Sequence, residues 1–202
     1  MEVACLDLEG VLVPEVWIGV AEKTGIDALR ATTRDVPDYD ALMRQRLKIL
    51  EENDLGIKLI REVIGSMEPL AGAPEFLTWL RTEFQVVILS DTFYEFAEPL
   101  MRKLDWPTLL CHRLEIADDG RIADYRLCIK GHKREAVRAI KGLNFSVIAV
   151  GDSYNDTAML AEADHGILFR APENVIAEFP QFPQATTFDQ LKSRFEAASS
   201  RF

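Results

Sequence analysis

Cysteine is scarce: Cys5, Cys111 and Cys128 are the three in 202 residues. They are odd in number, share no CxxC spacing and belong to a chain too large to need disulfide staples, so reduced, mostly buried thiols are expected. Basic residues are also short, with 23 Lys and Arg against 33 Asp and Glu, a formal charge of −10 and no basic run. That balance argues against long nucleic acid or an anionic membrane surface as a partner. Any phosphate handled here has to be small and held locally, with a bound cation to offset the repulsion. Long apolar runs are missing too. The amino terminus, MEVACLDLEG, has no basic stretch followed by an apolar core, and no run approaches the length that crosses a bilayer. A soluble cytoplasmic protein is expected. The chain has no internal repeat and no low-complexity tract.

What remains is an ordinary globular balance, 48% hydrophobic and 28% charged, in a length that suits one domain carrying an insertion. Residues 3–6 (VACL) form a short apolar run that ends in Asp7, Leu8, Glu9 and Gly10, as a buried central strand does. Residues 85–89 (QVVIL) end likewise at Ser90 and Asp91, residues 145–150 (FSVIAV) at Gly151 and Asp152, and residues 166–169 (GILF) are a shorter fourth candidate. Helical spacing separates them at 75–82, 93–104, 133–141 and 155–163. The alternation predicts an α/β fold, a Rossmann-like, doubly wound, mainly parallel sheet covered on both faces. Pro99 predicts a kink or a late helix start.

Residues 14–68 break the alternation with three helical patterns, at 15–21, 39–52 and 55–64, the second carrying Leu42, Met43, Leu47 and Leu50 on one side. They read as an all-helical cap inserted into a core of residues 1–13 and 69–202. Residues 112–129 alternate around Asp118-Asp119-Gly120, a small β-hairpin. After Pro172 the tail is punctuated by proline to Pro183, then closes with a short strand and a helix from 189 to about 197.

In an open parallel sheet, ligands bind beyond the carboxyl ends of the strands where strand order reverses. Asp7, Glu9, Ser90, Asp91, Asp152, Asn155 and Asp156 all fall at that edge. So many carboxylates need a cation, and hard oxygen ligands suit Mg²⁺, with Asp7 and Asp152 the first choices. With the charge on a phosphoryl oxygen offset, Asp7 can attack phosphorus and form an aspartyl-phosphate. Glu9, two residues on, can protonate the leaving alcohol and then activate water. Ser90 and the backbone N–H groups after it can hold phosphoryl oxygens, particularly if a helix begins at Thr92 or Phe93. Lys133 adds a positive charge, although Lys130 offers the same one three residues earlier. Each residue also has a bland role: a carboxylate after a strand is often a helix cap, residues 151–156 could be a plain turn, Arg46 a surface neighbour of Arg44, and Glu15 a first-turn acid. His112, His132 and His165 share no metal spacing and are assigned no site. Trp17, Trp79 and Trp106 read as core or cap packing.

These residues, in this order over nearly the whole chain, resemble the haloacid dehalogenase superfamily. Asp7-Leu8-Glu9-Gly10 is similar to its nucleophile motif, Ile88-Leu89-Ser90-Asp91-Thr92 to its second, Lys133 to its third and Gly151-Asp152-Ser153-Tyr154-Asn155-Asp156 to its fourth. Within it, the helical insertion, Arg44-Gln45-Arg46-Leu47 and Gly72 look like phosphoserine phosphatases. The resemblance implies that Asp7 is the nucleophile and that Mg²⁺ is held by Asp7, the backbone carbonyl of Glu9 and Asp152, with Asp156 in support. It implies that Ser90, Asp91, Thr92 and Lys133 bind phosphate, that Asn155 positions phosphate or substrate, and that Glu15 and Arg46 hold an amino acid's ammonium and carboxylate. A forked guanidinium suits a carboxylate, so the chemistry agrees.

Two residues depart from the family pattern: the second acid, usually aspartate, is Glu9, and the glycine after Ser90 is Asp91. One methylene moves a carboxyl by about 1.5 Å, and a misplacement near 1 Å can change a rate about a hundredfold. Glu9 is therefore expected to activate water less well than aspartate, leaving the aspartyl-phosphate open to another alcohol. The Glu variant resembles a subgroup described as bifunctional phosphoserine phosphatase and homoserine phosphotransferase. The expected reaction is hydrolysis of O-phospho-L-serine, with homoserine as a second acceptor. Another small phosphomonoester is the alternative substrate, and a receiver-like phospho-aspartate binding module is the alternative class. A receiver needs neither Glu9 nor a cap, and a dehalogenase does not need Asp152. Small molecules are the expected partners, a homodimer is left open, and the cap is expected to act as a lid.

Overall fold

Strand β1 (Glu2–Leu6) lies at the centre of the sheet because both of its faces are apolar: Ala4 and Leu6 join the core on one side, Val3 and Cys5 on the other. The computed structural model describes residues 1–32, 35, 36 and 38–201, leaving Thr33 and Arg34, Pro37 and Phe202 outside the described residues. After β1 come α1 (Val16–Thr24), a 3₁₀ turn (Asp27–Arg30), α2 (Tyr39–Glu52), α3 (Ile57–Gly65), α4 (Ala73–Glu83), β2 (Gln85–Phe93), α5 (Tyr94–Lys103), β3 (Thr108–Ile116) and β4 (Ile122–Arg126). The chain continues through α6 (His132–Gly142), β5 (Ser146–Gly151), a second 3₁₀ turn (Tyr154–Asp156), α7 (Thr157–Glu162), β6 (His165–Phe169), α8 (Glu173–Glu178), β7 (Gln184–Ala185) and α9 (Phe188–Ala198).

Among the described residues the sheet runs β4-β3-β2-β1-β5-β6-β7, parallel throughout except for β4, which returns antiparallel beside β3. This is the α/β, doubly wound, mainly parallel arrangement the alternation predicts. Strand order reverses at β1, between β2 and β5, so the ligand crevice opens beyond its carboxyl end. No helix of the described residues is long and apolar enough to cross a membrane.

Several elements differ from their sequence outlines. β2 does not stop at Leu89 but runs to Phe93, which pairs with His112 after the register slips between Leu89 and Phe93. β3 starts at Thr108, and its first half lies parallel to β2 before the hairpin begins. α5 starts at Tyr94 with Pro99 inside it, so no late start occurs. Pro99 is the sixth residue of that helix, past the unpaired N–H groups of the first turn, so it forfeits the bond an N–H there would make to the Glu95 carbonyl. The proline-rich tail holds α8, with Pro172 at its amino-terminal cap. Trp106 is a correction: it stands 58% exposed rather than packed, carried outward by left-handed backbone at Asp105 (φ 58°) and Trp106 (φ 51°).

Residues 14–68 contain helices and turns among those described. α2 begins where Asp38 caps the Ala41 N–H at 2.7 Å, and it buries Leu42, Met43, Arg46, Leu47 and Leu50 at three- and four-residue spacing. These helices share one apolar cluster with the sheet, as where Trp17 meets Phe96 edge-on at 5.5 Å. The hairpin holds them from the other side: Arg44 pairs with Asp124 at 2.7 Å, Tyr125 bonds Asp40, and the Ile57 N–H donates to the Gly120 carbonyl at 2.9 Å.

Candidate active site

The alternation of β1 delivers Asp7. Its N–H extends the ladder to the Val150 carbonyl at 2.9 Å, and its side chain, in phase with Val3 and Cys5, meets α6. There Lys133 Nζ lies 3.0 Å from Asp7 Oδ1, 2.9 Å from Asp156 Oδ1 and 3.3 Å from Asp91 Oδ2. Lys133 is buried whereas Lys130 is exposed, so the structure brings only the former to the carboxylates. Asp156 uses its second oxygen on the N–H groups of Asp152 (3.0 Å) and Ser153 (3.2 Å), which fixes the turn after β5. Asn155, in that turn, donates to Asp91 Oδ2 at 2.9 Å. Ser90 and Thr92 are buried beside them, the Thr92 N–H donating to Ser90 Oγ at 3.2 Å.

The approach is close enough to demand glycine at two points. A Cβ on Gly151 would fall 2.2 Å from Cβ of Asp156, and one on Gly10, which has φ 76°, would fall 2.4 Å from Asp152 Oδ2. Carboxylate oxygens of Asp7, Asp152 and Asp156 lie within 4.8 Å of one another. Burial, then the neighbouring Asp156, drives Asp7 well above the usual carboxylate range against the pull of Lys133. Burial, Asp156 and Glu15 raise Asp152 to about 7. One ammonium does not balance this cluster, and an all-oxygen donor set of this kind fits a hard divalent cation. Two open clefts, one of about 230 Å³ between α2 and the hairpin and one of about 320 Å³ beside α5, are lined by none of these residues. Asp7 itself is covered, only 4% exposed.

The family model for haloacid dehalogenase-like hydrolases matches residues 1–164. The chain belongs to that family. A protein of Pseudomonas aeruginosa named phosphoserine phosphatase ThrH is 66% identical to this hydrolase over 201 residues, covering 100% of this chain and 98% of its own. A phosphoserine phosphatase of Pseudomonas syringae pv. tomato is 63% identical, covering 100% of this chain and 85% of its own. Among solved structures, a phospho-aspartyl intermediate analogue of phosphoserine phosphatase superposes with a TM-score of 0.72 at 22% identity, covering 87% of this chain and 89% of the other. A substrate-bound phosphoserine phosphatase complex gives 0.75 at 20% identity, covering 91% and 92%. At such identities the structures speak for the fold alone.

In the hydrolase, the loop after Asp7 is a tight one, closed by Leu12 N–H to the Leu8 carbonyl at 2.8 Å and Gly10 N–H to the Val13 carbonyl at 2.8 Å. It turns Glu9 back on the start of α1, where Oε2 accepts the Val16 N–H at 2.9 Å. Burial, with Glu15 next, raises Glu9 to about 7 despite that bond. Glu15 is exposed at the amino-terminal cap of α1, near enough to act on both Glu9 and Asp152. Arg46 is buried on α2: Nη2 donates to the Ala31 carbonyl at 2.8 Å, the guanidinium lies 4.5 Å over the Trp17 ring, and Nε has no partner among the described residues. Burial lowers Arg46 to about 10, so it remains a cation at neutral pH.

Three residues at the site carried no signal in the sequence. His112 and His132, to which no site was assigned, meet at Asp91 Oδ1, at 3.5 and 3.2 Å, and Tyr39 donates its hydroxyl to the Asp91 carbonyl at 3.1 Å. The ligand atoms of Asp91, His112 and His132 lie within 4.8 Å, yet the bonding is not that of a metal centre. The Cys128 N–H donates to His112 Nδ1 at 3.2 Å, so the ring proton sits on Nε2 and points at Asp91. A metal-bound imidazole has the opposite arrangement, with Nδ1 donating outward. Burial lowers His132 to about 4, so it too faces Asp91 uncharged. Burial alone would raise Asp91, but Lys133, His112 and Asn155 outweigh it and hold the carboxylate far below its usual range. As an ionised acceptor, the Asp91 side chain secures Lys133 and Asn155; only its backbone N–H can donate to phosphate.

The raised acids fix a pH dependence. Carboxyls at about 7 in the folded chain and about 4 in the unfolded one keep protons that unfolding releases, so their contribution is full below about pH 4 and is lost as pH climbs through 7. Asp91, shifted the other way, loses its contribution only below this window. In chelator, Tm should fall by on the order of 5 °C from pH 5 to 8. Mg²⁺ should restore it, with the larger gain at pH 8. Calorimetric scans at both pH values check this, and a Tm that climbs with pH in chelator contradicts it.

Proposed function

We propose that this chain is a Mg²⁺-dependent phosphoserine phosphatase that hydrolyses O-phospho-L-serine through an aspartyl-phosphate on Asp7. The observation that carries the substrate reading is Arg46, a buried guanidinium whose Nε has no partner among the described residues. A group so costly to leave unpaired calls for an anion, and a forked guanidinium prefers a carboxylate. The full-length likeness to two phosphoserine phosphatases supports it. The proposal divides the chain into a catalytic core of 1–13 and 69–202 and a cap of 14–68, and it includes a cytoplasmic location.

The residues then divide the work. Arg46 holds the substrate carboxylate and Glu15 its ammonium. Lys133, Asn155, Ser90 and the backbone N–H groups of Asp91 and Thr92 hold the phosphoryl oxygens. Asp7 Oδ1 is taken by the Leu8 N–H at 2.7 Å and by Lys133 at 3.0 Å, which leaves Oδ2 the freer oxygen for attack. Glu9, raised to about 7, is half protonated near neutrality, so it can give a proton to the departing serine oxygen and then take one from water. Asp7, the Glu9 carbonyl and Asp152 would hold Mg²⁺, with Asp156 steadying the Asp152 turn. Bound there, the cation would offset the phosphoryl charge that opposes an attacking carboxylate. Glu9 has one oxygen committed to Val16, and the longer side chain supports a second proposal, that a share of the phosphoryl groups passes from Asp7 to the homoserine hydroxyl instead of to water.

Phosphate release from phosphoserine, phosphothreonine and an aryl phosphate, with and without Mg²⁺ and with homoserine as competing acceptor, tests the proposal. Arg46→Lys should raise KM for phosphoserine about tenfold or more while changing aryl phosphate turnover less than about twofold. Equal use of all three esters would overturn the substrate assignment, and absence of phosphohomoserine would overturn the transfer.

A further inference from the structure

We propose that Tyr39 is a positioning residue: its hydroxyl, reaching from the cap, aims the Thr92 N–H into the phosphoryl pocket. The inference rests on the pocket described above and not on which amino acid the cap binds. Tyr39 opens α2, and Arg46 follows seven residues later, two turns along the same face. Its ring is held edge-on between His112 (6.4 Å) and Tyr125 (6.1 Å), and its hydroxyl bonds the Asp91 carbonyl at 3.1 Å, where the β2–β3 register slips.

The Asp91–Thr92 peptide is planar and trans, so its C=O and N–H point in opposite directions. Holding the carbonyl toward the cap therefore turns the Thr92 N–H away from it, onto Ser90 Oγ at 3.2 Å, inside the pocket. The Asp91 side chain is already pinned by Lys133, Asn155, His112 and His132. Two bonds hold the peptide plane between them, the Thr92 N–H to Ser90 Oγ on one side and the Tyr39 hydroxyl to the Asp91 carbonyl on the other, and only the second comes from α2. Preorganised N–H donors contribute most where charge develops in the transition state, so the hydroxyl acts on the rate through Thr92 without touching substrate.

Tyr39→Phe deletes the oxygen and keeps the ring contacts. The expected result is a kcat for phosphoserine lowered about tenfold with KM within about twofold. Affinity for beryllofluoride, a phosphoryl mimic on Asp7, should fall several-fold, and the ¹⁵N-labelled Thr92 amide should shift. Wild-type kcat with wild-type beryllofluoride affinity overturns the proposal, as does a lowered kcat with beryllofluoride affinity and the Thr92 amide unchanged. If the variant melts earlier, the Thr92 amide measured where both proteins are folded decides between positioning and simple destabilisation. If wild-type enzyme binds beryllofluoride but ignores phosphoserine, the substrate assignment fails while the mimic and the amide still test Tyr39.

Discussion

Asp7→Asn should lower phosphate release by about 10⁴-fold or more, because an amide cannot take the phosphoryl group and no other carboxylate occupies its position at the end of β1. The same change should make the metal-free protein more stable at pH 8. Asp7 is held above the usual range by burial and by Asp156, so the folded state already favours an uncharged group there, and asparagine supplies one of nearly the same shape. Toward pH 5, as more of the raised acid takes a proton, the gain should shrink. Turnover assays with thermal scans in chelator at both pH values check the pair of effects. Residual activity within about a hundredfold of wild type would remove Asp7 as nucleophile, and a Tm lowered at pH 8 would contradict the electrostatic account.

Lys133→Met should cost both activity and stability. Lys133 touches Asp7, Asp91 and Asp156 from a buried position, and its loss strands three acids around an apolar chain. Removing one partner of a buried ionic group costs about 3–5 kcal/mol, which for a chain of this length lowers Tm by on the order of 10 °C. The loss should be smaller at pH 5, since protons can replace the missing ammonium. Lys133→Arg keeps the charge and should retain most of the stability with impaired turnover, because the broader guanidinium cannot reach the same three oxygens. A Lys133→Met protein with unchanged Tm at pH 8 would show that the cluster is balanced by something other than Lys133.

The sequence was legible where one local pattern carries the structure. Residues 3–6 are apolar on both faces, which marks a central strand, and the residue that follows emerges at the crevice; Asp7, Asp152 and Asp156 meet there for that reason. Spacing by threes and fours marked α2, including the stripe of Leu42, Met43, Leu47 and Leu50. Local pattern says nothing about partners brought together by topology. His112 reaches Asp91 only because β3 lies beside β2, and His132 only because α6 begins at the same edge. Tyr39 reads as an ordinary first-turn aromatic until α2 brings its hydroxyl onto the Asp91 carbonyl. The extension of β2 through Ser90, Asp91 and Thr92 was hidden for a related reason: polar residues end an apolar run, whereas a bulge lets the strand resume at Phe93.

The pairing of β1 has a consequence for how the chain is made. The strand that carries Asp7 is synthesised before both of its neighbours, which begin at Gln85 and Ser146. At roughly 5–20 residues per second, the growing chain spends on the order of ten seconds with its central strand unpaired on both edges. Contacts that distant in sequence also close slowly. Asp7 thus leaves the ribosome well before either neighbouring strand and is enclosed only after both, so a chain truncated before β5 has no built crevice around it.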